Sequence, residues 1–418
     1  MLNSSPASIV VSGSTATGAA DGLTLANVDS GTTVTMSATS NLDLTVNYDG
    51  SYLAGAGDTA TLNMTGVTAT AAADTDITFG AGIETLTINS TATASKIGDL
   101  VWGGAGLTVT GDANLTIQDT LAVTANTLDA SAFSGKLAAT LANVTDAADV
   151  AGVDVVDLTV TGGSGNDTLN VAAADAGVEL LVDGGAGDDK ITIGADLAAA
   201  AAARAADTLT GGDGQDTLVM TTALANGLTK AKSAGVTGFE VLQVSDANTN
   251  SITLANVQAG LNAITLAAGS NGGTTVFPAG ANSAIIGATN AGSYTATDTG
   301  TATTDSLTIS TTSLAAVDMG NNNAFVFTGL ETVTFDTTTK GATELDVSTV
   351  TMTADTGGTT TLKVVGADTF HASGAITASV IDFSGLTAAA ATVNTANMGA
   401  AAVGVTSITG SPGKDILV

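Results

Sequence analysis

The sequence predicts a mainly all-β protein, built of elongated, multi-domain β-helix or β-sandwich-like segments around a short parallel β-roll, with a few short Ala-rich helices. Three observations carry this expectation. Aliphatic residues alternate with threonine in short runs along most of the chain, the period-2 pattern of half-buried strands. Hydrophobic residues make up 44% of the 418 positions but aromatics only 3%, which suits the long, thin core of small aliphatics that stacked sheets and solenoids bury. Three Gly-Asp nonapeptides punctuate the centre of the chain.

Residues 1–150 form the first β-rich domain. Its strands are read from Leu42-Asp-Leu-Thr-Val46, Leu86-Thr-Ile88, Leu107-Thr-Val109 and Leu115-Thr-Ile117. Each places aliphatics two apart with Thr between, and abundant β-branched residues favour strand over helix. The spacing between runs is irregular, so sandwich and irregular β-helix both remain open.

Residues 151–245 hold the three nonapeptides: Gly162-Gly-Ser-Gly-Asn-Asp-Thr-Leu-Asn170, Gly184-Gly-Ala-Gly-Asp-Asp-Lys-Ile-Thr192 and Gly211-Gly-Asp-Gly-Gln-Asp-Thr-Leu-Val219. All fit G-G-x-G-x-D-x-U-x, with U a large aliphatic. Glycines let the backbone adopt φ > 0 and turn its carbonyls inward. Calcium, a hard cation taking six to eight oxygens, suits such carbonyls together with the carboxylates of Asp167, Asp189 and Asp216. The aliphatic two residues after each Asp (Leu169, Ile191, Leu218) points inward from a short strand. The loops start 22 and then 27 residues apart, longer than the two nonapeptides of an ideal roll turn, which implies insertions. One insertion, Leu197 to Ala206, is nearly pure Ala and predicts a short helix. Asp207-Thr-Leu-Thr210 repeats a nonapeptide tail whose glycines are gone. A second helix is predicted from Thr222 to Ser233, with Lys230 and Lys232 near its C-terminal end.

Residues 246–409 form a second β-rich domain, with runs at Ser251–Leu254, Ala263–Leu266, Leu307–Ile309, Phe325–Phe327, Leu362–Val364 and Val380–Phe383, and a polar loop from Thr295 to Asp305. The last nine residues, Gly410-Ser-Pro-Gly-Lys-Asp-Ile-Leu-Val418, match the nonapeptide except for Ser411. They predict the start of a further repeat and a chain that continues beyond it.

A looser motif recurs at Gly82-Ile-Glu-Thr-Leu-Thr-Ile88, Gly238-Phe-Glu-Val-Leu-Gln-Val244 and Gly329-Leu-Glu-Thr-Val-Thr-Phe335. It reads as a turn feeding one strand of a stack. For Glu84, Glu240 and Glu331 the main expectation is a solvated turn carboxylate; metal binding and capping of a neighbouring backbone group are the alternatives.

Net charge is −30, from 39 acids against 9 bases. Phosphate binding needs clustered Lys and Arg, so nucleic acid is excluded as a partner. An acidic surface attracts divalent cations and repels copies of itself unless those cations screen it. There is no cysteine, so calcium is the available staple. No apolar run reaches membrane-spanning length, which predicts no membrane insertion. The N-terminus lacks the features of a secretory signal, predicting either export by another route or a sequence that is a fragment.

No enzyme is predicted. The single histidine, His371, has no nucleophile elbow around it and reads as an incidental surface residue. Zinc sites rich in His or Cys are excluded by count. No phosphate-cradling loop is present. Paired carboxylates for glycoside hydrolysis remain open, but beyond Phe only Trp102, Tyr48, Tyr52 and Tyr294 are available to stack sugars, and Trp102 reads as a packing residue.

The nonapeptides resemble the repeats-in-toxin (RTX) family, exported from Gram-negative bacteria by type I secretion. The Ala/Thr/Gly-rich β segments, low pI, missing Cys and Gly-x-Glu motif are similar to RTX-type bacterial surface-layer (S-layer) proteins. The resemblance implies an extracellular protein on the bacterial cell surface, exported unfolded and folding when it meets calcium. It implies Ca2+ as cofactor, held by Asp167, Asp189 and Asp216 with the carbonyls of Gly162, Gly163, Gly165, Gly184, Gly185, Gly187, Gly211, Gly212 and Gly214. The expected function is that of a structural subunit whose partners are copies of itself in a two-dimensional lattice, with cell-surface polysaccharide as an anchoring candidate. A secreted calcium-binding adhesin or filament segment is the alternative, and an extracellular polysaccharide-acting β-helix enzyme a third.

Overall fold

The computed structural model describes residues 6–15, 22–29, 31–53, 55–71, 75–122, 127–142, 158–173, 179–194, 197, 207–311, 321–338, 345–366, 370–387 and 405–411. The fold is a parallel β-solenoid, which settles the choice between β-helix and sandwich. Every strand pairing among the described residues is parallel, and each strand pairs with its counterpart one coil away. A sandwich would need antiparallel neighbours. Here the crossover that parallel strands require is the rest of the coil.

The chain divides into two compact units, Met1–Leu218 with Ala231–Phe239, and Val219–Lys230 with Glu240–Val418. The three nonapeptide loops lie in the first. Its longest sheet stacks ten strands, from Ser8–Ser12 through Thr85–Ser90 and Leu158–Thr161 to Val236–Thr237. A four-stranded sheet, beginning with Gly22–Val28 and Asp43–Tyr48, closes the early coils. The later coils are closed by Ser95–Ile97, Leu115–Ala122, Leu137–Ala142, Thr168–Ala173 and Lys190–Ile193. The second unit stacks Val241–Val244, Ala263–Leu266, Ala281–Ile286, Ser306–Thr311, Thr332–Asp336, Thr361–Gly366, Val380–Leu386 and Ser407–Thr409 on one side. A seven-stranded sheet that includes Tyr294–Asp298 and Leu345–Thr353 makes the other.

The alternation read from sequence is what fills the interior. Leu86 lies beside Leu107 and Ile88 beside Val109, all buried, while Thr87 and Thr108 pair on the outer face. Stacking like on like places aliphatic columns inside and threonine ladders outside. In the second unit the column thickens with aromatics: Phe325 and Phe335 meet edge to face at 5.1 Å, with Tyr294 beside Phe325 at 6.3 Å.

Three local expectations change. The helix predicted from Thr222 to Ser233 is only Thr222–Gly227: the Thr221 hydroxyl caps the Leu224 N–H at 3.3 Å, and the chain turns extended at Leu228, whose side chain is buried. Leu254, read as part of a strand, opens a single helical turn, Leu254–Val257. The polar stretch from Thr295 begins as strand, because Tyr294 and Ala296 point inward and hold it in the stack. Of the Ala-rich insertion, residues 198–206 lie outside the described residues, as do residues 412–418 of the terminal nonapeptide-like segment.

Candidate metal centres

Each nonapeptide forms the corner between two strands of a coil. Gly162 to Asp167 joins Leu158–Thr161 to Thr168–Ala173, and the second loop joins Leu180–Asp183 to Lys190–Ile193 in the same way. Although the loops are 22 and 27 residues apart in sequence, they stack directly, since the additional residues fall elsewhere in the coil. Glycine permits the close stacking. A Cβ on Gly162 would sit 1.9 Å from the Gly184 carbonyl oxygen. Gly212, at φ +115, combines left-handed backbone with a Cβ position 1.9 Å from the Gly185 oxygen, so no other residue fits. The same columns run through Gly163, Gly185 and Gly212, through Gly165, Gly187 and Gly214, and through Gly184 onto Gly211.

The loop carbonyls are partly committed to this stacking: the Gly163 oxygen accepts from the Ala186 N–H and the Gly185 oxygen from the Asp213 N–H, both at 2.9 Å. Asp167, Asp189 and Asp216 form a column inside it, each at most 2% exposed. One Asp167 oxygen accepts from the Leu137 N–H at 2.7 Å and the other from Gly163 at 2.8 Å. Asp189 accepts from the Asp167 N–H at 2.7 Å, and Asp216 from the Asp189 N–H at 2.8 Å. The second Asp189 oxygen, Oδ2, is buried with no hydrogen-bond partner. Burial pushes the Asp189 carboxyl up to about 7, helped by the like charges of Asp167, Asp216 and Asp183 against its hydrogen bond from Asp167. Burial likewise raises Asp167, with hydrogen bonds and Lys136 opposing. A stack of desolvated carboxylates with an orphaned oxygen requires a proton or a cation. The donor set is all oxygen, and it fits a hard cation.

Outside this column a second polar ladder occupies the fifth position of each loop. Asn166 Oδ1 accepts from the Asp188 N–H at 3.1 Å, and Asp188 Oδ1 from the Gln215 N–H at 3.0 Å.

In the copies at Glu84 and Glu331 the looser Gly-x-Glu motif proves to be the same device. Glu84 stands immediately before its strand, as the nonapeptide Asp does, and accepts from the Asp58 N–H one coil away at 2.8 Å. Glu331 accepts from Asp305 N–H at 3.1 Å and from Asp355 N–H at 3.0 Å, bridging coils on both sides. Its burial overturns the expectation of a solvated carboxylate there; Glu240 is exposed. The first residue of each copy, Gly82, Gly238 and Gly329, has φ between +72 and +98. Asp207, the tail without glycines, also caps: its Oδ1 accepts from the Leu180 N–H at 3.0 Å.

Sequence reasoning missed a second acidic group, in the second unit. Asp298, Asp305 and Asp355 each offer a carboxylate oxygen, and the three lie within 4.8 Å of one another, placed to hold a metal ion. Asp298 is raised by burial and by the neighbouring charge of Asp305, against its hydrogen bond from Gly300. The legible signal was Asp305-Ser-Leu-Thr-Ile309, an acid before an alternating strand; Asp355, 50 residues on, carries no local signal. A third acidic run, Asp43, Asp76 and Asp99, is linked by backbone N–H donation at 3.0 Å in each step.

His371 is half-buried, its Nδ1 2.8 Å from Asp346 Oδ1 on the adjacent strand. Trp102, Tyr48 and Tyr294 are buried, Trp102 as the packing residue the sequence predicts, while Tyr52 is exposed. Among the described residues no helix is long and apolar enough to cross a membrane. No family model, curated protein or solved structure matches the chain.

Proposed function

We propose that this chain is a calcium-stabilised structural protein of the bacterial cell surface, a subunit that assembles with copies of itself into an S-layer lattice. The observation that carries the reading is the buried column of Asp167, Asp189 and Asp216 at stacked glycine corners. Three desolvated like charges are costly without a counter-ion, and a hard divalent cation offsets that cost where backbone carbonyls and carboxylates converge. Calcium outside the cell then completes a fold that the calcium-poor cytosol leaves unstable, which suits export before folding. The chain's −30 charge opposes self-association until divalent cations screen it.

A solenoid offers regular repeating faces for lattice contacts. The burial of Trp102, Tyr48 and Tyr294 leaves little for sugar stacking, which favours a structural role over a polysaccharide-acting enzyme. The deciding experiment is electron microscopy of purified protein with calcium and with a chelator. Ordered sheets that form in calcium and disperse on chelation are expected. Isolated particles in both conditions would replace the lattice reading with that of an adhesin or filament segment.

A further inference from the structure

We infer that Asp298, Asp305 and Asp355 form a separate calcium site in the second unit, built without any nonapeptide. Three carboxylates converge there from two coils of the solenoid. Asp298 ends the strand Tyr294–Asp298, Asp305 precedes Ser306–Thr311, and Asp355 follows Leu345–Thr353.

Clustering alone does not make a site; the unmet valences do. Asp305 is 1% exposed. Its Oδ1 accepts from the Gly280 N–H at 2.6 Å, but its Oδ2 is buried with no partner. Asp298 shows the same division: Oδ2 accepts from the Gly300 N–H at 2.8 Å, and Oδ1 is buried and unpartnered. Asp355 Oδ2 is the third such oxygen. A buried, unpaired carboxylate oxygen is costly, and three of them within one cluster of carboxylates are costlier still. One half of each of two carboxylates is anchored by backbone and the other half is left for a ligand, a division that orients donors before an ion arrives.

The surroundings keep the space open. A Cβ on Gly300 would lie 2.6 Å from Asp298 Oδ2 and 3.3 Å from Asp305 Oδ2. Gly329, at φ +75, borders Asp298 and Asp355, where a Cβ would lie 3.3 Å from Asp298 Cβ and 3.6 Å from Asp355 Oδ1. Glu331 tethers the backbone on both sides, holding the N–H groups of Asp305 and Asp355.

The chemistry selects the cation. With only carboxylate donors, the site suits a hard ion; zinc and copper favour imidazole and thiolate. Oxygens within 4.8 Å of one another are those that an ion bound at about 2.3–2.6 Å can bridge, while magnesium demands a tighter octahedron and keeps its waters.

The test measures calcium bound per full-length chain, by equilibrium dialysis with excess magnesium, alongside thermal melting in calcium and in chelator. Asp305→Asn keeps an acceptor for the Gly280 N–H, and Asp298→Asn keeps one for Gly300, so both preserve the anchoring bonds. Each variant is expected to bind one calcium fewer than the wild type. Each should also lose part of the calcium-dependent rise in Tm while melting no lower than wild type in chelator. Should Asp305→Asn fail to fold, the Asp298→Asn variant gives the same readout. An unchanged number of bound ions and an unchanged rise in Tm would overturn the proposal. The triple variant Asp167→Asn, Asp189→Asn, Asp216→Asn separates this site from the nonapeptide loops. If it binds as much calcium as the wild type, the loops are not calcium sites, yet a further loss of one ion on adding Asp305→Asn still supports the site proposed here.

Discussion

Asp189 shows most directly what a single residue does in this stack. Its carboxyl is held near 7 by burial and by the charges above and below it, against about 3.9 in an unfolded chain. The folded protein therefore holds a proton between those values that the unfolded chain has released. Stability without metal falls as pH rises through that window and levels off above it. Melting in chelator from about pH 4 to about pH 7.5 should show this decline, and Asp189→Asn should flatten it. A wild-type slope retained in the variant would place the titration elsewhere. Glu331 acts at the same scale by holding two backbone N–H groups at once. Glu331→Ala strands both, at roughly 1–3 kcal/mol for each buried donor, and a corresponding fall in the denaturant midpoint is expected.

The element that recurs is an acid set immediately before a short alternating strand, capping the neighbouring coil. Glu84, Asp167, Asp189, Asp207, Asp216, Asp305 and Glu331 all stand in this position. The nonapeptide adds glycines so that its corner can stack on a like corner. Gly212→Ala should therefore destabilise by at least roughly 1–3 kcal/mol from backbone strain alone, because its φ of +115 and the Gly185 oxygen both oppose a side chain. Gly227→Ala is the control: it ends the helix Thr222–Gly227 with nothing within 4 Å of a new Cβ, and a gain of about 0.4–1 kcal/mol is expected. Chemical denaturation of the two variants measures both. Equal effects would remove the special role assigned to the corner.

Across the molecule, each coil relies on its neighbours, and stability spreads as nearest-neighbour terms. Ile88 is fully buried between Leu62 and Val109. Ile88→Ala should cost about 2–5 kcal/mol, and hydrogen exchange should report lost protection first in the coils on either side. Uniform loss over the whole chain would indicate a single cooperative unit instead. Among the described strand pairings, coil length runs from 19 residues, Thr361 to Val380, to 33, Leu44 to Ile77. That variation is why no fixed repeat is visible in the sequence even though every described strand stacks in parallel.

Local pattern alone determined that the protein is β-rich, which residues face inward, and that Gly162, Gly184 and Gly211 open turns ending in acid. Period-2 alternation and the steric demands of glycine act between near neighbours, so they are written in the chain directly. The parallel stacking, the identity of the nonapeptide Asp and the Gly-x-Glu acid as one capping position, and the meeting of Asp298 and Asp305 with Asp355 belong to the tertiary structure. Those depend on which residues the coil length brings into register, and the insertions that set coil length leave no periodic trace.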